Sequence, residues 1–175
     1  MRIRRQTALV ALLSLVALTG CSEKPQPSQT PAQEAWPAKA RIEFRNASAR
    51  YDLERDENRG GHTLSRHVGR SDEQLAERLR RERNISAAST WTDREIAEAT
   101  VAEGLAAEQS RIENWKRRGE RRPNLALHFD AGRPIGRSLR RGASEAVACT
   151  SAVIVLRADG ADGFYVLTTY PEARE

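Results

Sequence analysis

The spacing of apolar residues changes once along the chain, near Gly119, and this change restricts the fold more than any other feature. Before it, Leu75 and Leu79 lie about one helical turn apart, which indicates an amphipathic helix. After it, Leu125 and Leu127 alternate with small or polar residues, which indicates a strand. Helical segments that precede strands predict an α+β domain, with N-terminal helices packed on a C-terminal antiparallel sheet.

Two capping boxes predict where helices begin. Ser71 stands three residues before Gln74, and Thr92 stands three residues before Glu95. In such a box the hydroxyl binds a backbone N–H three residues on, while the Glu or Gln side chain binds back. Thr92 is therefore predicted as the N-cap of one long helix, or of two short ones with a weak point at Gly104, over residues 93–117.

The C-terminal residues predict strands and a pair of hydroxyls. Residues 146–156 are apolar on both faces and predict one central strand. Residues 164–170 predict its antiparallel partner, which Pro171 ends. Strict alternation places Thr168 and Tyr170 on one face with Phe164 and Val166, so the two hydroxyls are neighbours about 7 Å apart along the strand. Such a pair can donate hydrogen bonds to a phosphoryl oxygen, although both residues are also common strand formers.

The N-terminal residues predict export and lipidation. Three arginines precede an apolar run over residues 8–18, which is too short to span a bilayer but suits a secretory signal. Cys21 follows Leu-Thr-Gly, a pattern that resembles a lipobox, so residues 1–20 are predicted as a lipoprotein signal peptide and Cys21 as the lipidated residue that binds the membrane. Ser22 resembles an outer-membrane sorting signal, which predicts an envelope lipoprotein of the outer membrane.

The remaining residues divide into three segments. Residues 21–40 hold four of the seven prolines and predict a semi-extended tether. Residues 41–57 form a lead-in that contributes an edge strand or lies along the domain, and residues 58–175 form the domain itself. Once Cys21 carries lipid, Cys149 has no disulfide partner, so this domain is predicted to fold on its core alone.

The net charge of the chain is small, but its basic residues are clustered. The signal peptide holds three of the 29 basic residues and none of the 24 acidic ones, which leaves the rest of the chain at a net charge of +2. Residues 111–141 nevertheless contain ten basic and three acidic residues. Such a local excess favours a polyanionic partner.

The three histidines are candidates for proton transfer. His67 shares a helix face with Leu64 and Val68, which also fits a buried structural role, while His62 follows two glycines and His128 is predicted to face solvent. The separation of His62 and His67 matches no common metal pair, and no thiol or carboxylate completes a set. The sequence therefore predicts neither a metal nor an organic cofactor.

Four segments occur together in an order that resembles a known family. They are GGHTLSRHVG at residues 60–69, ISAASTW at 85–91, GRPIG at 132–136 and GFYVLTTYP at 163–171. Over about residues 58–173 the chain is similar to the bacterial ribonuclease A-like domain that forms the C-terminal toxin of CdiA-type contact-dependent inhibition proteins. The resemblance implies a kidney-shaped relative of ribonuclease A without disulfides.

The resemblance also implies a function. The family's activity is metal-independent cleavage of RNA, for which 2′-hydroxyl attack gives a 2′,3′-cyclic phosphate, and its catalytic groups are a histidine, an arginine, a threonine and a tyrosine. These fall on His67, Arg78, Thr168 and Tyr170, with Arg80 or Arg81 as alternatives for the arginine and His62 as an alternative or auxiliary histidine. RNA, with tRNA as one candidate, is the implied substrate, and DNA is not expected to be cut. A cognate immunity protein is a candidate partner.

A second interpretation keeps the fold without the activity. The family's toxins usually end large secreted proteins, whereas this domain follows a lipoprotein signal and a short tether. An envelope-anchored nuclease meets RNA outside the cytoplasm or in a cell that it enters. The alternative is a non-enzymatic envelope lipoprotein that uses the same fold to bind an anionic partner.

Overall fold

The computed structural model describes residues 50–119, 121–160 and 163–174. The predicted signal peptide, Cys21 and the tether lie outside the described residues. Of the helices in the described part, none is long and apolar enough to cross a bilayer. The elements follow in the order α1 Leu53–Glu57, α2 Thr63–His67, α3 Asp72–Arg81, β1 Ala87–Trp91, α4 Arg94–Ala107, α5 Gln109–Lys116, β2 Leu125–Asp130, β3 Gly136–Arg140, β4 Val147–Cys149, β5 Ser151–Asp159 and β6 Gly163–Glu172.

The strands form two antiparallel sheets, with the orders β1-β3-β4 and β2-β5-β6. The α+β class is therefore confirmed, but the single strand predicted over residues 146–156 is wrong. That segment is divided at Thr150, because the backbone N–H of Ile135 binds the Cys149 carbonyl and that of Ala131 binds the Thr150 carbonyl. The chain changes partner there, from β3 to β2, so one apolar run serves both sheets.

Strand β6 continues past the predicted stop at Pro171. Pro171 pairs with Ala152 of β5, and the strand ends at Glu172. The backbone N–H of Thr169, two residues earlier, points away from β5 and donates to Thr63 Oγ1 at 3.0 Å. The nitrogen of Pro171 lies on the same outer side, so the missing N–H removes no bond from the ladder.

The helix that follows β1 begins one residue later than predicted. Thr92 donates its N–H to the Ile135 carbonyl, whereas Asp93 is the N-cap and accepts from the Ile96 N–H at 2.7 Å. The helix also does not weaken at Gly104 but is interrupted at Glu108, between α4 and α5. A Cβ at Gly104 would stand 2.6 Å from Ile154 Cδ1, so this glycine lets α4 pack closely on β5.

Two apolar clusters hold the layers together. The larger one packs α4 and α5 on the sheet β2-β5-β6 and includes Trp91, Trp115 and Ile154. The smaller one joins Leu75 and Leu79 of α3 to residues of β1 and β3. The predicted capping box of α3, Ser71 with Gln74, is confirmed, and so is its buried leucine stripe. Helix α3 is thereby fixed against the sheet β1-β3-β4.

The end of the lead-in is helical and not an edge strand. Residues 53–57 form α1, and Leu53 belongs to the larger core. Asp56 is completely buried, and its Oδ2 accepts hydrogen bonds from the Tyr51 hydroxyl and the Val166 N–H, both at 2.6 Å. A buried carboxylate needs such partners to offset its desolvation. The lead-in is therefore tied directly to β6.

Candidate active site between the two sheets

Helix α2 lies between the edges of β6 and β1. On the β6 side, the His62 N–H donates to the Leu167 carbonyl at 3.0 Å, and Thr63 accepts from Thr169. On the β1 side, Gly69, just after α2, donates its N–H to the Trp91 carbonyl at 3.3 Å. These bonds satisfy edge groups of both strands and fix the register of α2 against each of them.

A β-bulge in β6 contributes to this fit. Val155 pairs with Thr168 whereas Leu156 pairs with Val166, so Leu167 is the extra residue. Because of the bulge, the prediction that Val166 shares a face with Thr168 and Tyr170 is wrong. Val166 is buried in the core, while Thr168 and Tyr170 share the opposite face. A Cβ on Gly61 would stand 2.8 Å from the carbonyl oxygens of both Asp56 and Val166. The start of α2 therefore lies so close to the bulge that only glycine fits at position 61.

The imidazole of His67 is buried between these strands. Its Nδ1 lies 3.4 Å from the Ser89 carbonyl oxygen and 3.5 Å from Arg78 Nη1. The two contacts require opposite tautomers, because a carbonyl only accepts and a guanidinium only donates. We assign the Nδ1 proton to the shorter contact with Ser89, which leaves the lone pair on Nε2. Burial, followed by the positive charge of Arg78, lowers the pKa of His67 to about 4.

Arg78 reaches this imidazole from α3. Its Nε donates to Glu82 Oε2 one turn later at 3.3 Å, and its side chain is 18% exposed. Arg80 is 68% exposed and pairs with Glu77. Arg78 lines the cleft with His67, whereas the alternatives Arg80 and Arg81 line only a second groove along α3, which Arg78 also borders. The α3 register therefore brings Arg78, and neither alternative, to the histidine.

Strand β6 supplies the two hydroxyls. The Tyr170 ring lies 5.4 Å from the His67 ring, centroid to centroid, at a tilt of 31°. Burial, and then the Glu172 carboxylate, raise the pKa of Tyr170. The Oγ1 atom of Thr168 is buried and, among the described residues, accepts and donates no hydrogen bond. An unpartnered buried hydroxyl is unusual, and Thr168 itself lines the cleft.

All three histidines of the chain line this one cleft. His62 stands at the start of α2, and burial, followed by the charge of Arg66, lowers its pKa. His128 on β2 is solvent-accessible as predicted, but it also contacts Glu172, with 3.2 Å between Nδ1 and Oε2. Sequence reasoning missed this pair, because the contact depends on β2 and β6 both flanking β5.

The cleft measures about 1130 Å³, and charged groups line it along its length. Arg78, Arg140 and Arg174 contribute positive charge, and Glu172 is the one acidic residue among the described residues that line it. The described part of the chain contains no group of three His, Cys, Asp or Glu side chains that could hold a metal ion. The arrangement offers a buried neutral imidazole, a guanidinium and two hydroxyls to a single ligand.

Comparisons with known proteins agree with this geometry. Residues 61–171 match the family described as the bacterial CdiA-CT RNase A domain. A solved structure, the CdiA-CT/CdiI complex from Y. kristensenii 33638, contains a similar chain with 30% sequence identity and a TM-score of 0.59. The match covers 65% of the present chain and 100% of the other. A search of curated proteins gave no match.

The family match extends from the glycine before His62 to the proline after Tyr170, so it includes the residues that line the cleft except Glu172, Ala173 and Arg174. The fold predicted from the sequence is the fold of that solved relative. The chain belongs to the family of bacterial CdiA-CT RNase A domains.

Proposed function

We propose that the protein is a metal-independent endoribonuclease, in which the ribose 2′-hydroxyl attacks the adjacent phosphorus. The products are a 2′,3′-cyclic phosphate and a 5′-hydroxyl. The observation that supports this most strongly is the convergence of His67, Arg78, Thr168 and Tyr170 on one cleft from α2, α3 and β6. These four residues are our proposed catalytic set, with His62 as an auxiliary histidine.

His67 is the general base of this mechanism. A pKa of about 4 keeps its imidazole neutral at pH 7, so Nε2 is ready to take the 2′-hydroxyl proton. The Ser89 carbonyl holds the ring by its Nδ1 proton and fixes the tautomer that this step requires. The oxygen that loses its proton then forms the new bond to phosphorus.

Tyr170 is the proton donor to the leaving group. Its raised pKa keeps the phenol protonated, and its ring lies beside His67. As the bond from phosphorus to the 5′-oxygen breaks, the phenol gives its proton to that oxygen, and the proton held by His67 restores the phenol through solvent. The low pKa of His62 makes its imidazole a less available acid.

Arg78 and Thr168 stabilise the charge that builds on the phosphoryl oxygens. A planar guanidinium suits an anionic phosphorane, and Arg78 is held in place by Glu82. The unpartnered Oγ1 of Thr168 gains a hydrogen-bond acceptor when a phosphoryl oxygen binds. Each well-placed donor of this kind contributes about 3 kcal/mol to transition-state stabilisation.

Two proposals concern the protein's surroundings. The solved relative is a complex of CdiA-CT with CdiI, and we extend this to an immunity partner for the present chain. The N-terminal pattern supports lipidation at Cys21 and an outer-membrane location. A Cys21→Ser substitution is then expected to release the protein from the membrane fraction, and continued membrane association would contradict lipidation.

The activity is tested with the purified full-length chain in detergent and EDTA. Single-stranded RNA and DNA of the same sequence are incubated with it, and the ends of the products are analysed. Cleavage of RNA to 2′,3′-cyclic phosphate ends, with DNA intact, is the expected result. Undamaged RNA that binds to the protein would support the alternative of a non-enzymatic lipoprotein with an anionic partner.

A further inference from the structure

A carboxylate lies in the cleft proposed to bind RNA, and this needs a physical reason. Glu172 is the third residue on the β6 face that carries Thr168 and Tyr170, and its side chain is 34% exposed. A fixed negative charge repels the phosphates of an RNA strand. The same carboxylate accepts hydrogen bonds from the amino groups of nucleobases. The Glu172 carboxylate therefore favours binding of a nucleobase at this position and disfavours binding of a phosphate.

Two neighbours hold this carboxylate in place. His128 Nδ1 lies 3.2 Å from Glu172 Oε2, and Arg174 Nε lies 3.4 Å from the same oxygen. Among the described residues, both contacts use Oε2, so the acceptor capacity of Oε1 stays available to a ligand. When the Nδ1 proton of His128 is donated to Glu172, His128 Nε2 keeps a lone pair. The pair thus presents two hydrogen-bond acceptors.

The sheet register sets the distance of this pair from the reacting groups. His128 is in register with Val153, and Val153 is in register with Tyr170, so the three side chains share one face. The His128 and Tyr170 backbones are two strand spacings apart, about 10 Å. His128 therefore lies two strands away from Tyr170 on the face that lines the cleft.

We infer that His128 and Glu172 form a nucleobase subsite, which binds a base with an exocyclic amino group beside the scissile phosphate. The inference rests on the proposed function, because it assigns the specificity of that same cleft. An exocyclic amino group can donate an N–H to Glu172 Oε1. Uracil presents a single N–H between two carbonyl oxygens, and these oxygens face the carboxylate unfavourably. The imidazole also provides a flat surface on which a base can stack.

The volume of the cleft agrees with a site for more than one nucleotide. At about 1130 Å³, it exceeds the usual range of about 300–1,000 Å³ for a pocket that holds one small molecule. The four proposed catalytic residues and the pair His128–Glu172 line this same space. A dinucleotide can therefore place its phosphate at His67 and one of its bases at His128.

The subsite is tested with DNA oligonucleotides that contain one ribonucleotide. Cleavage then occurs at one bond only, and the base on either side of that bond is varied among cytosine, adenine, guanine and uracil. At pH 8 in EDTA, kcat/KM of the full-length protein is expected to be about tenfold lower for uracil than for cytosine at one of the two positions. Glu172→Gln is expected to bring this ratio close to one, because an amide both donates and accepts.

Glu113→Gln is the matched control. Glu113 forms a similar exposed ion pair with Lys116, on α5 and away from the cleft. This variant is expected to keep the wild-type ratio of cytosine to uracil. A ratio that stays the same in Glu172→Gln and in His128→Ala would overturn the subsite, although the nuclease activity itself would stand.

A binding measurement separates the subsite from the activity. All-DNA dinucleotides lack the 2′-hydroxyl and stay intact, so they can be added to the wild-type protein while the imidazole NMR signals of His128 are followed. Larger shifts with deoxycytidine than with deoxyuridine are expected. Such shifts in a protein that cleaves no RNA would refute the proposed function and keep the subsite. Equal or absent shifts in an active enzyme would refute the subsite alone.

Discussion

The rings of His67 and Tyr170 lie 5.4 Å apart, although one residue ends the second described helix and the other lies in the last strand. Three bonds from the edge of β6 to α1 and α2 create this proximity: those of Val166 to Asp56, His62 to Leu167 and Thr169 to Thr63. Helix α2 can contact β6 in only one register while these bonds persist. The geometry of the site therefore depends on the backbone edge of β6 as well as on the side chains of His67 and Tyr170.

Protonation of His67 should make the fold sensitive to acid. In the unfolded chain a histidine has a pKa near 6.5, whereas burial and Arg78 lower that of folded His67 to about 4. The unfolded state binds more protons between these values, so the free energy of unfolding falls as the pH drops from about 6.5 to about 4. The expected loss is about 3 kcal/mol, measured by urea denaturation at several pH values. Replacement by glutamine should remove this component, and an unchanged pH profile in His67→Gln would contradict it.

The arginine assignment can be tested along a single helix. Arg78→Ala should lower kcat/KM on RNA by about 100- to 1,000-fold, because one donor to the phosphorane is lost. Arg80→Ala is the matched control on the same helix, since Arg80 is exposed and pairs with Glu77 outside the cleft. It should retain nearly full activity in the same assay. Equal losses in both variants would mean that α3 acts through its general charge and not through Arg78.

Thr168 should show opposite effects on stability and activity. Thr168→Val removes a buried hydroxyl without a partner among the described residues, so it should keep or raise the free energy of unfolding by about 0.5–1 kcal/mol. The same change should slow cleavage by at least about tenfold, because a donor to the phosphate is lost. Thr168→Ser should restore most of the rate. A valine variant with full activity would exclude Thr168 from the reaction.

Asp56 is expected to be a structural residue that positions α2. Asp56→Ala removes the acceptor of both the Tyr51 hydroxyl and the Val166 N–H, and leaves the latter buried without a partner. The expected cost is roughly 2–4 kcal/mol in the free energy of unfolding, measured by urea denaturation. Asp52→Ala is the control, because Asp52 caps α1 at the exposed surface and should cost only about 1 kcal/mol. Similar values for the two variants would contradict the anchoring role.

Local signals in the sequence predicted much of the fold. The helix around His67, the capping box at Ser71 and the strands β2 and β6 follow from spacing that the structure repeats. Strands β1 and β3 were missed, because their sequences, AASTW and GRSLR, show no clear alternation of apolar and polar residues. The strand β4 was merged with β5, because an apolar run shows that a segment is buried but not which sheet buries it.

The site likewise has features that the sequence predicted and features that it did not. His67, Arg78, Thr168 and Tyr170 could be named from the family resemblance, with Arg80 and Arg81 as alternatives to Arg78, and the structure brings these four together. The Ser89 carbonyl beside His67, and the contact of His128 with Glu172, depend on pairings between segments that are distant in the chain. The bulge at Leu167 also lay beyond a strict alternation pattern, which assigned Val166 to the wrong face.

In the reaction that we propose, neutral His67 is the base that starts RNA cleavage. The most direct test of this role is the single-turnover rate of RNA cleavage in EDTA at pH 7 by the wild-type protein and by His67→Ala, with far-UV circular dichroism to compare their folds. We expect a rate at least about 100-fold lower in the variant, with an unchanged spectrum. A correctly folded His67→Ala protein that cleaves RNA at the wild-type rate would contradict it.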